Sequence, residues 1–256
     1  MIAKVLNAAK YALLSFRRNP AATFFTIVFP VIFLVIFGFV FGNETVDDGT
    51  KVATFIVPGI LGLSIVSATL VNQAITQVIR REAGQLKRLR GTPLPPVAYI
   101  GGQILASFVI VVLMTVLVTL IGRLFFGVVF QWESLGVFIP TVIIGSVCFS
   151  AMGLALTAII PNEDAAPAVT NAAVFPLYFI SDVFFFADED STGFISVLGD
   201  IFPVKPLVNS LQPSYDPFLE SVTVPWAKWA VIVAWGLFGV VIALRFFRWT
   251  AQTERR

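Results

Sequence analysis

Residues 80–96 read Arg80-Arg81-Glu82-Ala83-Gly84-Gln85-Leu86-Lys87-Arg88-Leu89-Arg90-Gly91-Thr92-Pro93-Leu94-Pro95-Pro96. The runs on either side, 52–79 and 97–122, contain no charged residue. Each exceeds the roughly 20 helical residues needed to cross the roughly 30 Å apolar core of a bilayer. The pattern therefore predicts a membrane protein that presents a short charged helix to the cytoplasm between two spans. That is the shape of a part that receives a push from a soluble partner.

Composition agrees. Of the 256 residues 57% are hydrophobic and 12% charged, against about a quarter charged in soluble domains. With this much apolar surface, the solvent must be lipid. There is no His and a single Cys, which excludes His-based acid–base chemistry, His metal ligation and an intrachain disulfide. Cys148 lies in an apolar run and reads as a small packing residue. No Gly-x-x-x-x-Gly-Lys-Ser/Thr loop is present to cradle ATP phosphates. No carboxylate pair, Ser/His/Asp set or metal-ligand spacing is visible, so neither a catalytic residue nor a metal site is expected.

Six apolar segments are predicted, at 21–42, 52–79, 97–122, 135–160, 165–187 and 226–247. Asp182, Lys228 and Arg245 fall near segment ends, where their charges reach the interface by snorkelling. A signal peptide is not expected, because charges are spread through residues 1–20 and the next apolar run is too long. With the N-terminus placed inside, 13 of the 17 basic residues fall on cytoplasmic segments. Lys51, Arg123, Lys205 and Lys228 fall outside with most of the acids, including Glu44, Asp47, Asp48, Asp188, Glu189 and Asp190. The positive-inside rule then gives an N-in, C-in chain. Trp residues near the ends of the last span suit interfacial anchoring.

Three segments do not simply span. Residues 4–19 predict an amphipathic helix, with Val5, Ala9, Leu13 and Phe16 on one face and Lys4, Asn7, Lys10 and Arg18 on or near the other. Asn19-Pro20 ends it. Such a helix beside a first span lies along the inner membrane surface. In residues 80–96, Leu86 and Leu89 share a face, and Gly91 with the prolines stops the helix. Two exposed leucines among basic residues suit docking into a groove of a cytoplasmic protein. Residues 188–225 mix apolar patches with Pro203, Pro206, Pro213, Pro217 and Pro225. They predict short helices that dip into the outer leaflet or cap the spans.

The stretch REAGQLKRLRGTPLPP, followed by Gly101-Gly102-Gln103-Ile104-Leu105, resembles the ABC-2 class of ATP-binding-cassette transporter permeases. The family pattern Glu-x-Gly-x-Leu-x-x-Leu-x-x-Thr-Pro-Leu falls here on Glu82, Gly84, Leu86, Leu89, Thr92, Pro93 and Leu94. A second similarity runs from Phe175 to Leu211 and ends on the late pair Pro203 and Pro206. Phe186-Ala187 replaces the usual Phe-Pro, and Asp182 stands where Gly is common. Among subfamilies the chain looks most like the daunorubicin-resistance type of drug and lipid exporter permease.

The resemblance implies an all-α fold of one transmembrane domain over residues 1–256, with six spans. Residues 4–19 would be the connecting helix, 80–96 the coupling helix loop and 188–225 an outer re-entrant region. Glu82, Gly84, Leu86, Lys87, Arg88, Leu89, Thr92 and Pro93 would couple to the ATPase. Two cytoplasmic ATPase subunits would bind the ATP and Mg, with no cofactor in this chain. A second six-span permease, identical or paralogous, would pair with it in a bacterial plasma membrane. No nucleic-acid partner is expected. The translocation route would run between the two halves, lined largely by the first, second and fifth spans.

Ion-coupled carriers keep ionisable groups inside the membrane. Here the deep spans offer mainly neutral polar groups, which favours an external energy source. Phe24, Phe25, Phe29, Phe33 and Phe37 recur in the first span. Phe25, Phe29, Phe33, Asn72, Gln73, Asn171 and Tyr178 are candidates for the substrate path. The same phenylalanines also fit lipid contact or packing, and Asn72, Gln73 and Gln77 also fit interhelical hydrogen bonds. The expected role is the permease subunit of an ATP-driven exporter of an amphipathic drug, antibiotic or lipid. Export of a polysaccharide or peptide, a non-transporting scaffold or sensor, and a secondary carrier are the alternatives.

Overall fold

The computed structural model describes residues 1–42, 44–45, 51–181, 194–218, 221–247 and 249. Among them every regular element is helical, apart from an isolated bridge between Thr45 and Lys51. In chain order the helices are α1 (Ile2–Arg17), α2 (Pro20–Phe41), α3 (Ala53–Glu82), α4 (Gln85–Arg90) and α5 (Pro96–Phe126). There follow α6 (Leu135–Leu156), α7 (Ala165–Phe179), α8 (Phe194–Ile201), α9 (Val204–Leu211) and α10 (Trp226–Phe246).

Five helices, α2, α3, α5, α6 and α10, are long and apolar enough to cross a bilayer. They coincide with five of the six predicted segments. The sixth, α7, has 15 residues, which at 1.5 Å per residue is about 22 Å and less than a full crossing. Its helix stops at Phe179, short of the predicted end at 187, and the Ser181 hydroxyl donates to the Tyr178 carbonyl in the last turn. That bond satisfies one of the acceptors a helix end leaves open. Asp182, Phe186 and Ala187 lie outside the described residues, as does the 188–193 part of the outer region.

Helix starts follow local chemistry. Asn19 Oδ1 accepts from the Ala22 amide at 3.1 Å, and Pro20 occupies the first position of α2. Pro95 and Pro96 open α5, and Gly127, at φ 70°, closes it. Both α2 and α3 widen to π-helical turns, at Phe24–Val28 and Ser67–Val71. Such turns recur at functional positions in helices.

The core sits on α3. In its spanning window 83% of the residues are buried, against 22% in α2 and in α10. So α3 is an interior helix surrounded by protein, while α2 and α10 keep most of their surface outward. Helix α10 packs along α6 at close range. A Cβ on Gly239 would come within 2.9 Å of the Met152 amide nitrogen, so only glycine lets the backbones meet. This is the small-residue packing of helices in lipid, where apolar burial between helices gives no advantage over lipid contact. Cys148 is buried against Gly236 in the same seam, in keeping with a packing role.

Within residues 188–225 the described part holds two short helices, α8 and α9. All of α9 except Asn209 is buried. Val208 lies over Gly62 of α3 and Leu207 over Gly145 of α6, at the end of the bundle away from Glu82. At the same end Tyr215 packs edge-on to Phe130 and Phe138, and its hydroxyl shares a 2.7 Å hydrogen bond with Thr119. Burial pushes the Tyr215 phenol up, which the Thr119 bond offsets in part. Not every Trp of the last span is an anchor. Trp226 is exposed, but Trp229 is buried and donates to Thr141 Oγ1 at 2.9 Å. Trp235 donates to the Ile201 carbonyl at 2.8 Å.

Candidate functional site

At the other end of the bundle α3 stops, and the chain turns through Ala83 and Gly84 into α4. Gly84 has φ 68°, the left-handed conformation that glycine adopts without Cβ strain. A Cβ there would meet nothing within 4 Å. The requirement is therefore for backbone conformation, and it explains a glycine two residues after Glu82.

Three anchors fix the turn. The first is Arg81, which is 2% exposed. Its Nε donates to Glu82 Oε1 at 2.8 Å, Nη1 to the Thr157 carbonyl at 3.0 Å, and Nη2 to the Ile160 and Pro161 carbonyls at 2.8 and 3.2 Å. One guanidinium thus satisfies open carbonyls beyond the C-terminal end of α6, where a cation is also favoured by the helix dipole. The second anchor is Leu86, which is fully buried. Here the structure corrects the expectation of two exposed leucines. Leu86 points inward and Leu89 is half-buried, because the Gly84 turn rolls that face of α4 onto the bundle. The third anchor is Lys4 of α1, whose Nζ donates to the Pro93 carbonyl at 2.8 Å. The Thr92 hydroxyl closes α4 on the Leu89 carbonyl at 2.7 Å.

What α4 presents outward is polar. Gln85, Lys87, Arg88 and Arg90 are exposed, followed by Thr92 and Pro93. Glu82 is half-buried in its pair with Arg81. Of the residues expected to couple, Lys87, Arg88, Thr92 and Pro93 form the surface. Glu82, Gly84, Leu86 and Leu89 hold it in place.

Helix α1 packs along α5, a contact that the amphipathic pattern did not specify. Ala9 and Ala12 are buried with Ala106, and Lys4, Asn7, Lys10 and Arg18 are exposed. Beside it a hydrogen-bond ladder climbs between α3 and α5. Arg80 Nη1 donates to the Tyr99 hydroxyl at 3.1 Å, and that hydroxyl donates to Gln77 Oε1 at 2.7 Å. Gln77 Nε2 donates to Gln73 Oε1 at 3.1 Å, and Gln73 Nε2 to Ser107 Oγ at 3.3 Å. The amide of Gln73 is therefore engaged between helices, which is the second of the two roles read for it. Asn72 is half-buried and accepts from the Thr76 hydroxyl at 3.2 Å.

The remaining path candidates divide by helix. Phe25, Phe29 and Phe33 form a continuous ladder on α2, with ring centroids 6.1 and 4.6 Å apart. Phe25 is exposed, while Phe29 and Phe33 are half-buried. On α7, Asn171 is half-buried and Tyr178 is buried. The Tyr178 hydroxyl meets Ser67 Oγ at 3.3 Å, at the first residue of the π-helical turn of α3. So Tyr178 joins α7 to α3, while Phe25 faces outward.

Sequence reasoning missed Arg81 and treated it as one of several orienting charges. A signal was present. Ala74, Gln77, Val78 and Arg81 recur at three- and four-residue spacing on the buried stripe of α3. An arginine on that stripe must find acceptors inside.

The sequence profile of the family described as ABC-2 type transporter matches residues 4–214. No curated protein gives a match to the chain. The matched region runs from the amphipathic α1 through the Gly84 turn and α4 to the buried α9. With that match and its apolar helices, the chain belongs to the ABC-2 type transporter family and is a multi-pass membrane permease component of an ABC transporter.

Proposed function

We propose that this permease exports an amphipathic drug, antibiotic or lipid, driven by ATP hydrolysed on separate cytoplasmic subunits. The chain has six spans, with α7 and the residues after it forming the fifth, and both termini face the cytoplasm of a bacterial cell. It pairs with a second six-span permease, identical or paralogous, and with two ATPase subunits that bind the ATP and Mg. Within the family it is of the daunorubicin-resistance type.

The observation that carries this reading is the way α4 is mounted. Its basic residues are exposed, while Arg81, Leu86 and the Lys4–Pro93 bond tie it to α3, α6 and α1. A push on α4 is thus delivered to α3, the most buried helix of the bundle. Orientation draws support from charge, because Lys87, Arg88 and Arg90 share this end with Lys4, whose ammonium reaches the Pro93 carbonyl. For the path, the Phe ladder of α2, exposed at Phe25 and half-buried at Phe29 and Phe33, and the half-buried Asn72 and Asn171 fit a lining exposed to cargo. Gln73 and Tyr178 support it from behind. The test is ATP turnover and cargo export in reconstituted vesicles. Arg88→Glu with Lys87→Glu should lower export at least tenfold while the chain still inserts. Normal export by that variant would refute docking through α4.

A further inference from the structure

A cavity of about 560 Å³ opens between α1, α4 with its following loop, and the start of α5. Lys4, Leu89, Thr92 and Pro93 belong both to its walls and to the mount of α4, but the coupling role proposed above assigns its interior no ligand. Ala8, Ala12, Leu89 and Leu94 give it apolar walls, and Lys4 and Arg80 bring two cations. Among the described residues no carboxylate lines it. We propose that this cavity binds an anionic phospholipid of the adjoining leaflet. The phosphate lies by Lys4 and Arg80, and an acyl chain runs along the apolar walls.

Three observations carry the assignment. The volume lies within the roughly 300–1,000 Å³ of ligand pockets. Among the described residues each cation makes one side-chain hydrogen bond, Lys4 to the Pro93 carbonyl and Arg80 to the Tyr99 hydroxyl. An ammonium has three donors and a guanidinium five, so capacity remains for phosphate oxygens. Basic pockets between membrane helices attract anionic head groups for this reason. The third observation is depth. Gln103 lines the cavity, seven residues beyond the first residue of α5, or about 10 Å along a helix that crosses the membrane. That reaches below the surface on which a soluble subunit docks. On the far side of α1 a second groove of about 530 Å³ carries Lys10 and Arg17 beside Leu6, Leu13 and Leu105. Its composition lacks the neutral hydrogen-bonding groups of the first cavity, such as Gln103, Tyr99 and Thr92, so it serves as the internal comparison.

The experiment is native mass spectrometry of the full chain, purified with its accompanying subunits. Phosphatidylglycerol or phosphatidylcholine is added at equal concentration. One phosphatidylglycerol per chain is expected where phosphatidylcholine leaves the chain empty. Lys4→Gln with Arg80→Gln should lower that occupancy at least tenfold, and Lys10→Gln with Arg17→Gln should leave it unchanged. Ser15→Trp, which narrows the cavity without removing a charge, should also lower it, with elution and melting temperature reporting that each variant is folded. Equal binding of phosphatidylcholine, or equal loss in both charge pairs, overturns the site. Displacement by glycerol 1-phosphate shows a soluble-anion site and overturns the lipid assignment. Loss of the ATPase subunit from the Lys4/Arg80 variant with phosphatidylglycerol occupancy unchanged makes the cavity a protein-docking surface, and likewise overturns it.

Discussion

Arg81 donates through Nη2 to the Ile160 carbonyl at 2.8 Å, joining the last turn of α3 to the turn that follows α6. Its other donors reach Thr157, Pro161 and Glu82. Replacing it with Met leaves those carbonyls and the half-buried Glu82 carboxylate without their cation. Removing one member of a buried ionic set costs about 3–5 kcal/mol. Arg81→Met should therefore lower the melting temperature of the purified chain markedly, whereas Arg88→Met, on the exposed side of α4, should lie within about 0.5 kcal/mol of the native chain. Arg81→Lys should not rescue, because an ammonium lacks the planar fork that reaches several carbonyls at once.

Gly84 gives a second prediction. Its φ of 68° with open space around it means that Ala adds conformational strain and no clash, about 1–2 kcal/mol. Gly84→Asn should fare better than Gly84→Ala, since Asn visits the left-handed region more readily. Paired melting curves of the two variants check the order.

The seam between α6 and α10 gives a third. Gly239→Ala places a carbon 2.9 Å from the Met152 backbone nitrogen, and Gly239→Val crowds it further. Backbone cannot yield as a side chain can, so folded yield should fall in that order. Leu244→Ala, at a position 82% exposed, should not reduce it. Size-exclusion profiles in detergent separate these outcomes.

Tyr178 supplies a fourth. If its hydroxyl contributes through Ser67, then Tyr178→Phe and Ser67→Ala should each destabilise, and the double variant should fall short of their sum. The coupling expected for one such bond in a membrane bundle is about 0.6 kcal/mol. Additive effects in a double-mutant cycle would show that the 3.3 Å contact carries no energy of its own.

Much of this architecture was legible in the chain. Long uncharged runs located α2, α3, α5, α6 and α10, because lipid demands continuous apolar helices. The period of Val5, Ala9, Leu13 and Phe16 gave the packed face of α1. Glycine and proline marked the turn between α3 and α4 and the start of α5. Apolarity did not reveal where α7 ends, because a helix stops on local capping and Ser181 is not a strong signal. Nor did it tell inward Leu86 from half-buried Leu89, which depends on how far the Gly84 turn rotates α4. Arg81 resembles Arg80 in composition, and the carbonyls it reaches are 76 to 80 positions away. No local pattern encodes that contact. Only the stripe of Ala74, Gln77 and Val78 pointed toward it.

The most direct measurement is the mass of the intact complex, extracted in mild detergent with its native neighbours. A permease served by separate ATPases through α4 predicts two six-span chains, this one being 27.9 kDa, together with two ATP-binding subunits. It predicts too that Lys87→Glu with Arg88→Glu sheds the ATP-binding subunits and keeps the membrane pair. A chain that purifies under several gentle extractions with no nucleotide-binding protein would contradict it.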